Sequence, residues 1–226
     1  MNTSSNWSSS GILIRLLFSL LAGTVIGIDR AMKRRNAGVK THALVCMGAA
    51  LVMLTSEYLL RTFPESKIDI TRMGAQVISG VGFLGVGTIM ITGRNQVRGL
   101  TTAACLWLCA CVGLAAGAGF LEGAIYALIF VIITLKFLAK VDVAVHEKAN
   151  VFSYYLEFKA NKSVVEFIDE MRAMNVRIST FDVTKSKLKG EGPSAVMTLY
   201  VKDKRLKKTL LHDIQMMDHV RFVEEL

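Results

Sequence analysis

The chain lacks the usual sequence marks of an enzyme. Across its 226 residues there is no GxxxxGK[ST] phosphate cradle, no GxSxG elbow and no HExxH pair, so the motif-borne chemistries those patterns support are not indicated. Cysteine is scarce: Cys46, Cys105, Cys109 and Cys111 all fall in apolar stretches, with no CxxC and no Cys/His zinc spacing. They read as reduced thiols packed as small residues. Acid is scarce where the chain is most apolar. Residues 1–145 carry 6 Asp/Glu against 13 Lys/Arg, and no carboxylate series runs through the apolar segments as a proton relay would need. The opening MNTSSNWSSS has no basic region, so the first apolar run is expected to be a retained helix and not a cleaved signal. No catalytic residue, cofactor or metal site is expected.

What is present is apolar sequence, with 52% hydrophobic residues and a mean hydropathy of +0.44. It is concentrated before about residue 140, which implies a membrane half and a soluble half. The formal charge of +9 is uneven, because residues 146–226 hold 14 basic against 12 acidic side chains. A nearly balanced soluble part argues against nucleic acid. The basic excess lies beside the apolar runs, where orientation and anionic lipids account for it.

Five spans are expected, at Gly11–Ile28, Thr41–Leu60, Met73–Ile91, Thr101–Phe120 and Leu121–Ala139. The last two form a tight hairpin, and a re-entrant fourth segment would read similarly. Lys33, Arg34, Arg35 and Lys40 follow span one, Arg94 and Arg98 follow span three, and Lys136 and Lys140 close span five. The positive-inside rule then puts the N-terminus outside and the C-terminal region in the cytoplasm. The expected domains are 1–145, a five-helix transmembrane bundle, and 146–226, a cytoplasmic α+β domain. In the second, strands are expected at Val151–Lys159, Val176–Val183, Ser194–Val201 and Val220–Val223, with helices at Ser163–Met174 and Leu206–Met217. Asn161 and Asp203 are expected caps, and Lys189–Pro193 a turn. This β-α-β-β-α-β order suggests a ferredoxin-like sandwich, small enough to gain from self-association.

Glycine supplies the candidate packing surfaces. Gly80, Gly82, Gly85 and Gly87 crowd span three. At 100° per residue, Gln76, Gly80 and Gly87 share one face, with Gly74, Gly82 and Gly85 nearly opposite. Two flattened faces imply a helix sandwiched between neighbours at the bundle centre. In span one, Gly23 and Gly27 lead along one face to Arg30, with Asp29 about 100° away. Arg30 and Asp29 are either interfacial charges, or Arg30 is folded into the bundle against a carboxylate, carbonyl or ligand. Thr101, Thr102, Cys105, Cys109 and Gly113 form a small-residue stripe that lines a cavity or packs on span three. Thr101 or Thr102 could cap span four and, near Arg98, Arg94 and Arg30, make an anion-attracting corner. Thr41 and His42 open span two, and His42 reads as a hydrogen-bonded anchor. Glu57 and Glu122 read as wetted at the outer helix ends.

Residues 16–119 resemble the MgtC/SapB family of bacterial membrane proteins. The resemblance is carried by GTVIGIDR, AGVKTH, GAQVISGVGFLGVGTI and VRGLTTAACLWLCACVGLAAGAG. Asp29 stands where the family pattern more usually has Glu. The resemblance implies five membrane helices and a cytoplasmic ACT-like domain. ACT domains often bind amino acids through a glycine in the first strand–helix turn, which here is Lys159-Ala160-Asn161-Lys162. It also implies a regulatory, virulence-type role that supports growth at low Mg²⁺ from the bacterial inner membrane. The implied partners are lipids and other membrane proteins such as the F-type ATP synthase, with a homo-oligomer such as a dimer. The competing reading is a transporter or channel for Mg²⁺, phosphate or another small ion.

Overall fold

A computed structural model describes residues 7–65, 69–92, 96–148, 151–160, 163–174, 176–184, 192–201 and 204–226. Arg94, the capping candidates Asn161 and Asp203, and most of the Lys189–Pro193 turn lie outside them. The chain divides into two compact units, one running to Val141 and the other from Asp142 onward.

The first unit is helical. Helix α1 is Ser9–Met32, α2 Val39–Thr62, α3 Ile70–Val86, α4 Leu100–Gly117 and α5 Leu121–Ile133. A π-helical turn, Thr134–Leu138, leads from α5 into α6, Ala139–Lys148. Among the described residues four segments are long and apolar enough to cross a membrane: α1, α2, α4 and Leu121–Asp142. The expected third span is shorter than it reads in sequence. Helix α3 has 17 residues, about 25 Å at 1.5 Å each, and stops at Gly87. The Thr88 hydroxyl then bonds the Gly85 carbonyl at 2.8 Å. Met90–Ile91 (β1) pairs antiparallel with Val97–Arg98 (β2) beyond it. Apolar composition carried the sequence reading past a helix end that backbone geometry imposes.

Helix α2 packs against α1, α3 and α4, and α4 against α1, α2, α3 and α5. The centre is therefore α2 with α4, and not α3 as the glycine pattern suggested. Here the backbones touch. A Cβ on Gly113 would fall 2.1 Å from the Cys46 carbonyl oxygen, and one on Gly117 2.3 Å from that of Ala50. Cys46, Ala50, Cys109, Ala110 and Ala116 are all essentially inaccessible. The small stripe of α4 thus faces α2. With no water to exclude, helices in lipid associate by close van der Waals approach, which small residues permit.

The second unit contains β3 (Val151–Phe158), α7 (Ser163–Ala173), β4 (Arg177–Thr184), β5 (Ser194–Tyr200), α8 (Lys204–Gln215) and β6 (Val220–Glu225). The sheet is antiparallel in the order β4-β5-β3-β6. The two central strands alternate: Phe152, Tyr154, Leu156 and Phe158 of β3 are buried, as are Ala195, Met197 and Leu199 of β5. Phe167 and Met171 of α7 and Leu210 and Ile214 of α8 belong to the same core. Phe158 meets Phe167 edge to face at 5.3 Å between centroids.

Candidate functional site

The polar cluster at the C-terminal end of α1 is built by a close helix crossing. A Cβ on Gly23 would lie 2.5 Å from the His42 carbonyl oxygen, and one on Gly27 2.6 Å from Val39 Cα. The start of α2 therefore presses against α1 just before Arg30. Arg30 is 3% exposed. Its Nε donates to Asp29 Oδ2 at 3.0 Å, and its Nη2 donates to the same oxygen. Lys33 Nζ lies 3.1 Å from Asp29 Oδ1 and donates to the Leu135 carbonyl of the π turn at 3.0 Å. One carboxylate thus holds two cations at the end of a span. Of the two sequence readings, the folded-in one describes Arg30, and its partner is the carboxylate of the preceding residue.

His42 is fully buried, with Nδ1 2.8 Å from the Gly38 carbonyl. A carbonyl only accepts, so Nδ1 carries the proton in this contact and Nε2 is the bare nitrogen. Nε2 has no hydrogen-bond partner among the described residues. The Cys109 thiol donates to the His42 carbonyl at 3.2 Å, tying α4 to the same turn. Thr102 is buried as well.

Other expected site residues are placed elsewhere. Thr41, Gln76, Arg98 and Thr101 are exposed. Arg98 Nη2 donates to Gln96 Oε1 at 3.1 Å, and no ion pair joins it to Asp29 among the described residues. Neither threonine caps α4. The cap is Gly99, without a side-chain bond and at φ +100, where a Cβ would sit 2.0 Å from the Thr88 carbonyl oxygen. Only glycine fits both demands. The anion-attracting corner is therefore not assembled among the described residues.

The sandwiched reading of α3 needs correction too. A Cβ on Gly85 would lie 3.4 Å from Ala103 Cβ and one on Gly74 3.2 Å from Met53 Sδ, but a Cβ on Gly80 or Gly82 would have nothing within 4 Å. Gly87 approaches only carbonyls of its own helix, Leu84 and Phe83. Gly74 and Gly85 lie on a packed side of α3, Gly82 is open, and the Gln76–Gly80–Gly87 face points outward. Glycine spacing locates smooth faces without saying whether a neighbour covers them.

A second cluster, missed in sequence, occupies the other end of the bundle. Arg15 is 5% exposed, donates to Glu57 Oε2 at 2.7 Å and also to the Gly117 carbonyl at 2.9 Å. Arg61 binds Glu57 Oε1 at 2.8 Å and lies 5.1 Å over the Trp7 ring. Glu57 is thus bracketed by two arginines and not simply wetted. Gly119, at φ +84, leaves room beside the Arg15 guanidinium, 3.0 Å from where a Cβ would be. The available signals were a lone arginine inside an apolar run, which demands a partner, and the i,i+4 spacing of Glu57 and Arg61.

Arg15 and Arg30 are roughly 22 Å apart along α1 at 1.5 Å per residue. The buried residues between them on α1 are Ser19, Ala22, Gly23, Ile26 and Gly27. Each charged cluster is internally paired. Among the described residues no group of three or more His, Cys, Asp or Glu could hold a metal ion. This arrangement suits pinning helix ends and presenting charged faces.

Comparison with known proteins agrees with the architecture. Residues 16–144 match the MgtC family. An uncharacterized protein of Haemophilus influenzae is 36% identical over 142 residues, which is 61% of this chain and 60% of that one. A proposed magnesium transporter, YhiD of Escherichia coli K12, is 32% identical over 73% of this chain and 76% of its own length. Protein MgtC of Salmonella typhimurium is 43% identical over 120 residues, 53% of this chain and 49% of that protein. The chain thus covers under two thirds of the Haemophilus and Salmonella relatives. No solved structure matches it significantly. With apolar helices of spanning length beneath that match, this membrane protein belongs to the MgtC family.

Proposed function

We propose that the chain is a non-enzymatic membrane regulator that supports growth at low Mg²⁺ by contacting other membrane proteins, the F-type ATP synthase among them. Relatives named for MgtC and for magnesium transport motivate the link to Mg²⁺. The observation favouring regulation over transport is the pairing of charge. Asp29 is engaged by Arg30 and Lys33, and Glu57 by Arg15 and Arg61, at opposite ends of the bundle. Between them the core is made of residues such as Ala22, Ile26, Cys46, Cys109 and Ala116. Mg²⁺ surrenders water reluctantly and is held through carboxylates and retained water, which such a core does not offer.

In this reading α3 counts as a fifth, short span, the basic ends of α1 and α5 face the cytoplasm of the bacterial inner membrane, and the second unit is cytoplasmic. Its element order and β4-β5-β3-β6 sheet support a ferredoxin-like, ACT-like domain that pairs with a second copy. The alternative is ion transport, favoured by the description of the Escherichia coli relative. Purified protein in liposomes, assayed for Mg²⁺, phosphate and proton flux, separates the two. Regulation predicts no saturable flux, with an Arg30→Ala variant that remains folded failing to support growth at low Mg²⁺. Saturable flux that disappears in that variant would overturn it.

A further inference from the structure

Helix α1 lies along α2 and α4 but meets α5 only sparsely, and a groove of about 440 Å³ opens between α1 and the end of α5. Its walls are apolar for most of their length: Val25 and Ile28 on α1 face Ile132 and Leu135 across it. Val25 and Ile28 are 42% and 45% exposed, so the groove is open toward the membrane side of the bundle. From Val25 to Lys33 it follows α1 for roughly 12 Å at 1.5 Å per residue.

One end is polar. Asp29, Lys33 and Lys136 line it; Asp29 is shared by Arg30 and Lys33, so the three cations outnumber the one carboxylate. The π-helical turn produces this end. Its Leu135 carbonyl accepts from Lys33 Nζ, which staples α1 to the turn and closes the groove there. Lys136, one residue on, is exposed, and no hydrogen bond or ion pair holds its side chain among the described residues. Lys33, Arg34, Arg35 and Lys40 crowd the neighbouring α1–α2 connection, so the surrounding field is also positive. A π turn inside a helix is a feature that often marks functional places.

We propose that this groove is a binding site for one anionic phospholipid. An acyl chain lies between Val25 and Ile132, and the phosphodiester sits against Lys136 and Lys33. A zwitterionic lipid would offer the same chain but place its own cation beside two lysines, and a free phosphate would leave the apolar length empty. Basic pockets between helices at the membrane surface select anionic headgroups on these grounds. The site rests on the membrane reading of the chain and is independent of its regulatory role, so its failure would leave the growth and flux assays unaffected.

The test uses the full-length protein in mild detergent, titrated with phosphatidylglycerol or phosphatidylcholine and followed by native mass spectrometry. Phosphatidylglycerol should bind about tenfold more tightly, the effect of one to two lysines near the headgroup. Lys136→Glu, which breaks no side-chain hydrogen bond or ion pair among the described residues, should bring the two lipids to near parity. Val25→Trp, which fills the groove, should weaken both. Glycerol 3-phosphate should not displace bound lipid. Equal binding of the two lipids by the unmodified protein, an unchanged preference in Lys136→Glu, or unchanged affinity in a folded Val25→Trp would each overturn the site. Displacement by glycerol 3-phosphate would make it a soluble-anion site instead.

Discussion

The two units bury different chemistry. In the membrane unit the least accessible residues at the α2–α4 contact are Cys46, Ala50, Cys109 and Ala110, and the nearest approaches are glycine to backbone carbonyl. In the second unit they are Leu156, Phe167, Met171, Met197, Leu199, Leu210 and Ile214. Water supplies the reason. A core that must form in water gains from every apolar area removed from it, about 25 cal/mol per Å², so large side chains are favoured. Lipid tails are as apolar as the side chains they replace, and only closeness of approach is left to gain. Volume is therefore an asset in one unit and an obstruction in the other.

The sharpest way to break that contrast is to exchange the two strategies. Gly113→Leu should abolish folding of the membrane unit, because even the first added carbon meets backbone at 2.1 Å and cannot swing aside. Overpacking usually costs about 1–3 kcal/mol, and the separation of two whole helices exceeds that. The reciprocal change, Phe167→Ala, should remove about 3–5 kcal/mol from the second unit while leaving the membrane unit intact. Thermal melts in detergent, with fluorescence-detected gel filtration for the membrane unit, would check both. A Gly113→Leu protein with an unchanged melting profile would contradict the backbone-contact account.

A smaller effect should appear at alkaline pH, confined to the second unit. Burial, with Glu225 opposite across the β3–β6 pair, pushes Tyr154 up to about 12 from an ordinary 10.0. As pH rises above 10 the unfolded chain releases this proton before the folded one does. The stabilisation is thus complete below pH 10 and falls by about 1.4 kcal/mol per unit until the folded value is reached. Denaturant titrations across that window should show the decline in the unmodified protein and a shallower one in Tyr154→Phe.

The smallest effect is expected at Gly80. Nothing lies within 4 Å of a Cβ there, so Gly80→Leu should change the stability of the single chain by no more than about 0.5 kcal/mol. A large loss of fold would mean that the outward face of α3 is covered in the assembled protein, placing glycine-mediated packing on both faces of that helix.

Much of the second unit was legible because alternation and helical spacing are local. Val151–Lys159 and Ser194–Val201 were each recognised to within a residue of the strands that form, and α7 begins at the expected Ser163. Four of the membrane helices were legible for the same reason, since length and apolarity are properties of a segment by itself. The end of α3 was not, because the turn at Gly87–Thr88 and the β1–β2 pairing depend on hydrogen bonds that composition does not record. At the candidate site, Gly23, Gly27 and Arg30 could be aligned on one face, but the carboxylate that Arg30 chose could not be named.

By itself the sequence determined that this chain has apolar helices of spanning length followed by a β-α-β-β-α-β region, and that glycines flatten particular helix faces. Tertiary structure alone decided which faces are covered: Gly113 and Gly117 pressed on α2, Gly80 and Gly82 left open. It also decided that Arg15 pairs with Glu57, residues 42 positions apart, and that Lys33 reaches a carbonyl in the π turn. The physical reason is the range of the forces. Periodicity and hydropathy act within a segment, whereas burial of a charge or a backbone contact is settled by whichever distant segment the fold brings alongside.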